Sequence, residues 1–276
     1  PDSTVRLANL QSGDLDLINR LAATDVEAVK SAGNLKYERA DGLGYQGITF
    51  NTNNGAKADN PFGQDPKLRQ ALSLAIDRNA INQVVFAGLN APASQFVPAV
   101  SPFFDPAYPV PERDVEKAKA LLAEAGIEGG IDLELQFPNR PESQQVVQMI
   151  QAMAAEAGIN ITLTAKEFAT MLADQAAGDF QASQVGWSGR IDPDGNIYGF
   201  VTTGGGFNDG KYSNPEIDRI LGEARAVSDE AARKDLYKQA NQILQTDLPL
   251  FYLYNEAWLY GVSDKVAGFT PSPDGM

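Results

Sequence analysis

Two stretches of this sequence, LLAEAGIEGGIDLEL and MAAEAGINITL, follow one local plan: an alanine-rich helical run, a glycine that stops it, then a strand rich in β-branched residues. Glycine accepts the left-handed backbone that ends a helix, and a β-branched run favours an extended chain. Helices that alternate with strands in this way lie over a sheet and return the chain by crossovers, so the pattern predicts α/β layering. The surrounding text continues it. Helices are expected over 115–125, 143–157 and 168–177, and strands over 131–137, 159–164 and 180–187.

The flanks read less regularly. A semi-apolar segment at 4–10 is closed by Gly13, and Leu15, Leu17 and Ile18 make a brief strand candidate. Asp25 can cap a helix that runs to Lys30, and strands at 35–37 and 45–50 flank an Asp41-Gly42 turn. The polar text of 51–63 predicts a surface loop. Asp65 and Pro66 then form a helix start, with Leu68, Leu72, Ala75 and Ile76 on one face. A break at Asp77 precedes a second helix through Ile81, Val84 and Val85 to Gly88. Residues 91–111 are proline-rich yet carry Phe103, Phe104 and Tyr108, which predicts an ordered loop and not a linker. After Trp187 a glycine-rich stretch is expected to be irregular as far as Asn214, which caps a helix over 215–226. A helix over 229–246 capped by Ser228, one apolar strand over 248–260 and a loose tail after Gly268 complete the reading.

Composition limits the chemistry. The chain has 276 residues, which permits one large domain or two small ones, and a formal net charge of −14 that disfavours nucleic acid and anionic membrane surfaces. It contains no histidine and no cysteine. Ser-His-Asp and Cys-His machinery, thiolate zinc clusters and histidine-ligated metals are therefore excluded. Carboxylate-pair catalysis and oxygen-ligated cations survive that filter. No apolar run is long enough to span a bilayer, and the first residues lack the pattern of a signal peptide.

Several motifs invite a chemical reading. GGGFNDGK lacks the Lys-Ser/Thr ending of a phosphate loop and reads as a turn. Asp192, Asp194 and Asn196 in DPDGN resemble half a calcium loop, but Val201 stands where its glutamate is needed. Trp187 and Arg190 lie where a strand leaves the core, at the carboxyl end where α/β sheets bind ligands. An indole offers a stacking face and a guanidinium a fork for an oxyanion. The plain alternative is a tryptophan at the edge of the core beside a surface arginine.

Taken in order, the blocks DSTVRLANLQSGDLDLI, GLGYQGITFNTNN, DPKLRQALSLAIDRNAINQVVFAG, PERDVEKAKALLAEAG, VGWSGRIDPDG, KYSNPEIDRIL and ARKDLYKQANQILQTDLPLFYLYN resemble the family 5 solute-binding proteins of ABC transporters. These are the dipeptide-, oligopeptide- and nickel-binding class. The resemblance implies an α/β lobe of the periplasmic-binding-protein type II, cluster C kind, with a mixed sheet and flanking helices. It further implies that 1–250 is the second lobe and 251–276 a return strand and tail leading towards a first lobe, with the signal peptide and first lobe not in this sequence.

The implied function is that of a non-enzymatic, periplasmic, monomeric receptor. It would close about a hinge on a small peptide or peptide-like solute and deliver it to the permease subunits, without cofactor, metal, nucleic acid or membrane insertion. In peptide-binding relatives an aspartate three residues after the tryptophan pairs with the ligand's α-amino group; Arg190 occupies that position here. Arg190 is thus expected to meet a carboxylate or other oxyanion. Arg140 is the second candidate, because relatives place an arginine near there for a ligand carboxylate. Tyr45 and Asn51, from the same block as one another, complete the expected set. The ligand-sensing half of a transcriptional regulator and a carboxylate-dependent hydrolase are the alternatives.

Overall fold

The computed structural model describes residues 3–275; Pro1, Asp2 and Met276, at the outer ends of the two expected divisions, lie outside the described residues. The chain begins with α1 (Ser3–Ser12), β1 (Leu17–Asn19), α2 (Val26–Ser31), β2 (Leu35–Asp41) and β3 (Tyr45–Phe50). There follow α3 (Pro61–Gln64), α4 (Pro66–Ala75), α5 (Arg78–Phe86), the two-residue β4 (Ala91–Pro92) and α6 (Val115–Glu124). The regular α/β part is β5 (Ile131–Pro138), α7 (Pro141–Glu156), β6 (Ile159–Lys166), α8 (Phe168–Ala177) and β7 (Ala182–Trp187). Last come α9 (Asp194–Val201), α10 (Pro215–Ala226), α11 (Glu230–Asp247), β8 (Leu250–Asn255) and β9 (Ala257–Ser263).

Two sheets result. A six-stranded mixed sheet has the order β4-β8-β3-β7-β5-β6, and a three-stranded antiparallel sheet has the order β1-β9-β2. Within the large sheet β5 runs parallel to β6 and β7, whereas β3 is antiparallel to β7 and β8. The carboxyl ends of β5, β6, β7 and β8 and the start of β3 therefore share one end of the sheet.

Strand alternation divides the interior. Ile48, Phe50, Phe251 and Leu253 turn to one face and pack with Leu72 of α4, Ile76 just after it and Ile150 of α7. Tyr45, Leu250 and Tyr252 turn to the other and pack with Ile217, Ile220, Tyr237 and Leu244 of α10 and α11. Two buried arginines in LRQALSLAIDR tie the first layer to the chain's end. Arg69 donates from Nε to the Asp247 carbonyl at 2.8 Å and from Nη1 to Phe62 at 2.6 Å. Arg78 donates to the Tyr252 carbonyl at 2.9 Å and to Ser73 Oγ at 2.9 Å, with its guanidinium 4.4 Å from the Phe251 ring centre. Burial pulls its pKa down to about 9.

The helix starts at Asp65, Asp77 and Asn214 form as expected, each side-chain oxygen accepting a first-turn amide. Other expectations are corrected. The 4–10 segment, given no element from sequence, is helical. Strands β2 and β3 form no hairpin: the chain at 42–44 passes from the small sheet to the large one, so β2 pairs with β9 and β3 with β7 and β8. The apolar run of 248–260 is two strands that part at Glu256, one in each sheet. The sheets thus divide at 42–44 and at Glu256, and residues 251–255 lie inside the large sheet.

Asp25 precedes α2 without a capping bond, and Asp229, not Ser228, caps α11 by accepting from the Ala232 amide at 2.8 Å. Val84 is 71 % exposed. The tail is docked: the Pro273 carbonyl accepts from Trp258 Nε1 at 3.0 Å and from the Leu43 amide at 3.1 Å, and Phe269 meets Tyr260 edge to face.

Candidate ligand-binding site

The stretch after Trp187 holds the largest departure from expectation, because it contains α9. Glycines at 195 and 199 hide the helix from propensity, and it forms because Ile197 and Val201 are fully buried against the α10 layer. Those glycines also have a spatial role. A Cβ on Gly195 would come within 2.8 Å of Arg190 Cγ, and one on Gly199 within 3.0 Å of Phe207 Cδ2. Spaced one turn apart, they open one face of α9 as a seat for the Arg190 stem and the Phe207 ring.

Asn196, on the same helix and 1 % exposed, fixes the polar atoms. Its Oδ1 accepts from Trp187 Nε1 at 3.2 Å and from the Arg190 amide at 2.7 Å, and its Nδ2 donates to the Arg190 carbonyl at 2.9 Å. The Arg190 guanidinium lies 4.3 Å from the Trp187 ring centre, within range of a cation–π contact. Trp187 itself meets Phe200 at 5.1 Å and Phe207 at 5.2 Å. Indole, guanidinium and phenyl ring are thereby ordered on one platform.

The charge around Arg190 is uncompensated. Its Nη1 donates to Ser188 Oγ at 3.1 Å and to the Gly189 carbonyl at 2.6 Å, and among the described residues no carboxylate lies within ion-pair distance of it. The neighbouring acids are committed elsewhere. Asp192 accepts both Nη atoms of Arg233, at 2.9 and 2.7 Å, and Asp194 accepts Nε and Nη2 of Arg225, at 2.9 and 3.0 Å. The hydrogen bonds from Arg233 hold the Asp192 carboxyl below the usual aspartate range. This engagement leaves DPDGN no open oxygen cage of the calcium type. An open cavity of about 390 Å³ lies between Arg190, Gly195 and the two ion pairs.

The remaining candidates separate. Tyr45 pairs with Trp187 across β3 and β7, but its ring is buried edge-on to Tyr252 at 4.9 Å and its hydroxyl donates to the Asn196 carbonyl at 3.3 Å. It supports the platform from below, and burial raises its pKa well above the ordinary value. Asn51 is wholly buried, with Nδ2 donating to the carbonyls of Asn54, Gly178 and Phe180 and Oδ1 accepting from Asn54. It is a loop clasp that faces no surface.

Arg140 precedes α7 at the carboxyl end of β5, exposed, with its guanidinium 5.2 Å from the Phe168 ring centre. It shares the sheet end with Arg190 but not a contact. Its charge instead acts on Glu256, as do Arg20 and Glu142; Glu256 reaches solvent, yet the protein packed around it raises its carboxyl. Sequence reasoning missed Phe207 and noted Asn196 only as part of half a calcium loop, not as the residue that holds Trp187 and Arg190. The spacing of Gly195 and Gly199 around Asn196 was the available signal.

The large mixed sheet thus presents a guanidinium stacked on an indole, with no carboxylate within ion-pair distance among the described residues, at the carboxyl ends of its parallel strands. The chain belongs to the bacterial extracellular solute-binding proteins, family 5, whose "Middle" model matches residues 1–208. It is 30 % identical to a dipeptide-binding protein of Pseudomonas aeruginosa over 99 % of this chain and 51 % of that protein. The chain thus spans about half the length of the curated relatives it matches. Among solved structures it is similar to the dipeptide-binding protein of Pseudoalteromonas sp. SM9913 in complex with Met-Leu, with TM-score 0.86 and 26 % identity over 99 % of this chain and 54 % of that one. It is also similar to AgaA of A. tumefaciens R10 in complex with agropinic acid, with TM-score 0.85 and 29 % identity over 98 % and 55 % of the two chains. Among the described residues, no helix is long and apolar enough to cross a membrane.

Proposed function

We propose that this chain is one wall of the substrate-binding component of a bacterial ABC importer, a periplasmic, non-enzymatic, monomeric receptor that closes on an anionic peptide-like solute and hands it to the permease. The observation that carries the reading is Arg190, stacked on Trp187 with no carboxylate within ion-pair distance among the described residues. An aspartate selects an ammonium group; a guanidinium selects an oxyanion, which it can take in a two-point fork. Arg140 is a second anchor at the same end of the sheet.

The six-stranded sheet with its helices forms the wall, and the three-stranded sheet is the base on which the opposite wall is built. Solute bound between the walls contacts both only when they close, and so favours the closed population. One similar structure holds Met-Leu and another agropinic acid. Both ligands are small molecules, which supports a small solute.

The test is a thermal-shift screen of the full-length protein against peptide, opine and sugar libraries, followed by titration of the best ligand. Binding to the native state alone raises the melting temperature. An anionic peptide-like hit whose affinity falls about tenfold or more in Arg190→Ala supports the reading, by the worth of a charge-assisted hydrogen bond. Unchanged affinity in that variant refutes it.

A further inference from the structure

The cavity beside Arg190 gathers three guanidinium groups, of Arg190, Arg225 and Arg233, and two carboxylates, of Asp192 and Asp194. Both aspartates lie within four residues of Arg190 in the chain. The Arg190 stem also crosses Gly195, the neighbour of Asp194, where a Cβ would meet Arg190 Cγ at 2.8 Å. Opposite charges around one small space attract, so an open Asp192 or Asp194 would be drawn to Arg190. Neither pairs with it, because each is taken by an arginine of the helices behind.

Those two arginines arrive with their forks already aimed. Arg233 of α11 donates from Nε to the Ala224 carbonyl at 3.0 Å and from Nη2 to the Tyr237 hydroxyl at 3.2 Å, which points both Nη atoms at Asp192. Arg225, at the end of α10, has its guanidinium 3.5 Å from the Tyr198 ring centre and presents Nε and Nη2 to Asp194. A fork fixed in advance gives up little freedom when it pairs. Arg190 is turned the other way, onto the indole, with Nη1 donating to Ser188 and Gly189 of its own turn.

Fastening α9 to α10 and α11 is one service of these pairs, and a small one, because partly exposed ion pairs add little to stability. Their effect on Arg190 is larger. Loss of either arginine would leave an unpaired carboxylate in the same cavity as an unpaired guanidinium. We propose that Arg225 and Arg233 are positioning residues that act through Asp194 and Asp192: they withhold both carboxylates from Arg190 and so keep its guanidinium open to an incoming anion. Neither touches the solute. The assignment rests on the reading of Arg190 as the residue that meets the solute, and explains how a turn with two aspartates presents a positive charge.

The experiment follows the rate at which phenylglyoxal modifies Arg190 in the full-length protein, read by peptide mass spectrometry. This dicarbonyl adds more slowly to a guanidinium engaged by a carboxylate. Arg233→Met, which frees Asp192, should slow the reaction at Arg190 about three- to fivefold, the worth of a partly exposed ion pair, and Arg225→Met should do the same through Asp194. Adding Asp192→Asn to the first variant and Asp194→Asn to the second should restore the parent rate. The urea midpoint should stay as low in each double variant as in its single, because the fastening is lost in both. Arg225 is half exposed, so its replacement leaves the fold intact and keeps the test decisive. Parent rates at Arg190 in both arginine variants, or a slowed rate that the asparagine substitutions do not restore, overturn the proposal, since fastening alone predicts that doubles behave as singles. If the rates are restored but Arg190→Ala leaves the affinity for the ligand found by screening unchanged, the function above fails and the pairing stands. If Arg190→Ala weakens that ligand and no rate is restored, the function stands and this inference fails.

Discussion

Gly44 passes so close to the Trp187 carbonyl oxygen that a Cβ on it would stand 2.1 Å away. The contact is reciprocal one step along, because a Cβ on Gly189 would meet the Leu43 carbonyl carbon at 2.3 Å. The segment that carries the chain from the small sheet to the large one is thereby packed, backbone to backbone, on the turn that carries Trp187 and Arg190. Gly44→Ala should force the two apart, lowering stability by about 1–3 kcal/mol as overpacking does. Urea unfolding gives the first number, and titration of the full-length protein with its ligand should show weaker binding, because the turn must move.

Asn196→Ala removes the acceptor of both the Trp187 indole and the Arg190 amide. Leaving such groups unsatisfied costs about 1–3 kcal/mol each when they are buried; Trp187 is only partly so, and a drop near the lower end is expected. In a Trp258→Phe background, where Trp187 is the remaining indole, the emission should shift to the red as that ring loosens. An unshifted spectrum with unchanged stability would contradict the role given to Asn196.

Arg78→Leu keeps much of the volume but abandons the Tyr252 carbonyl and Ser73. Loss of a buried hydrogen-bonding hub belongs among the larger single-residue effects, about 3 kcal/mol or more. The measurement is the urea midpoint at constant slope. Because Arg78 lies in the core and not on the platform, ligand affinity under native conditions should stay unchanged.

The Asp192–Arg233 pair gives an acid signature with a definite sign. The Asp192 carboxyl titrates below its ordinary value of 3.8 in the folded chain, first because of the hydrogen bonds from Arg233. Its contribution is complete above the unfolded pKa and disappears as pH falls through the folded one. Asp192→Asn should therefore reduce stability modestly at neutral pH, since the Asp192 side of the pair is largely exposed, and the difference from the parent should close at strongly acid pH. Thermal melts across an acid series check this; a gap that widens on acidification would reverse the assignment.

Much of the large sheet was legible because two independent signals agreed there. In 115–187 the helical periods, glycine stops and β-branched runs all point to the same elements, and α8 falls on its expected bounds. Where one signal spoke alone it misled. The apolar run of 248–260 is continuous in hydrophobicity, and only the pairing partners reveal that Glu256 divides it between two sheets. Asp41-Gly42 is good turn chemistry, yet the chain uses it to change sheets.

The candidate site was half legible. Trp187 and Arg190 were singled out from their place at a strand end and do lie stacked there, whereas α9 was invisible because its glycines lower helix propensity and tertiary burial of Ile197 and Val201 supplies the stability instead. Tyr45 and Asn51 sit in a distinctive block for reasons of support: one braces the platform and the other closes a loop.

The two chain passages between the sheets lie side by side, with the Gly42 amide donating to the Glu256 carbonyl at 3.0 Å and Asn255 Nδ2 to the Gly44 carbonyl at 2.8 Å. Twin strands stitched together behave as an axle and not as a tether: twisting about their common line is soft, while sliding and splaying are resisted by the stitches. Any reorientation of the small sheet therefore has to twist or bend these two stitched passages. Since the axle bears directly on the Trp187 turn, a rotation about it is transmitted to the indole and guanidinium without passing through the sheet's interior.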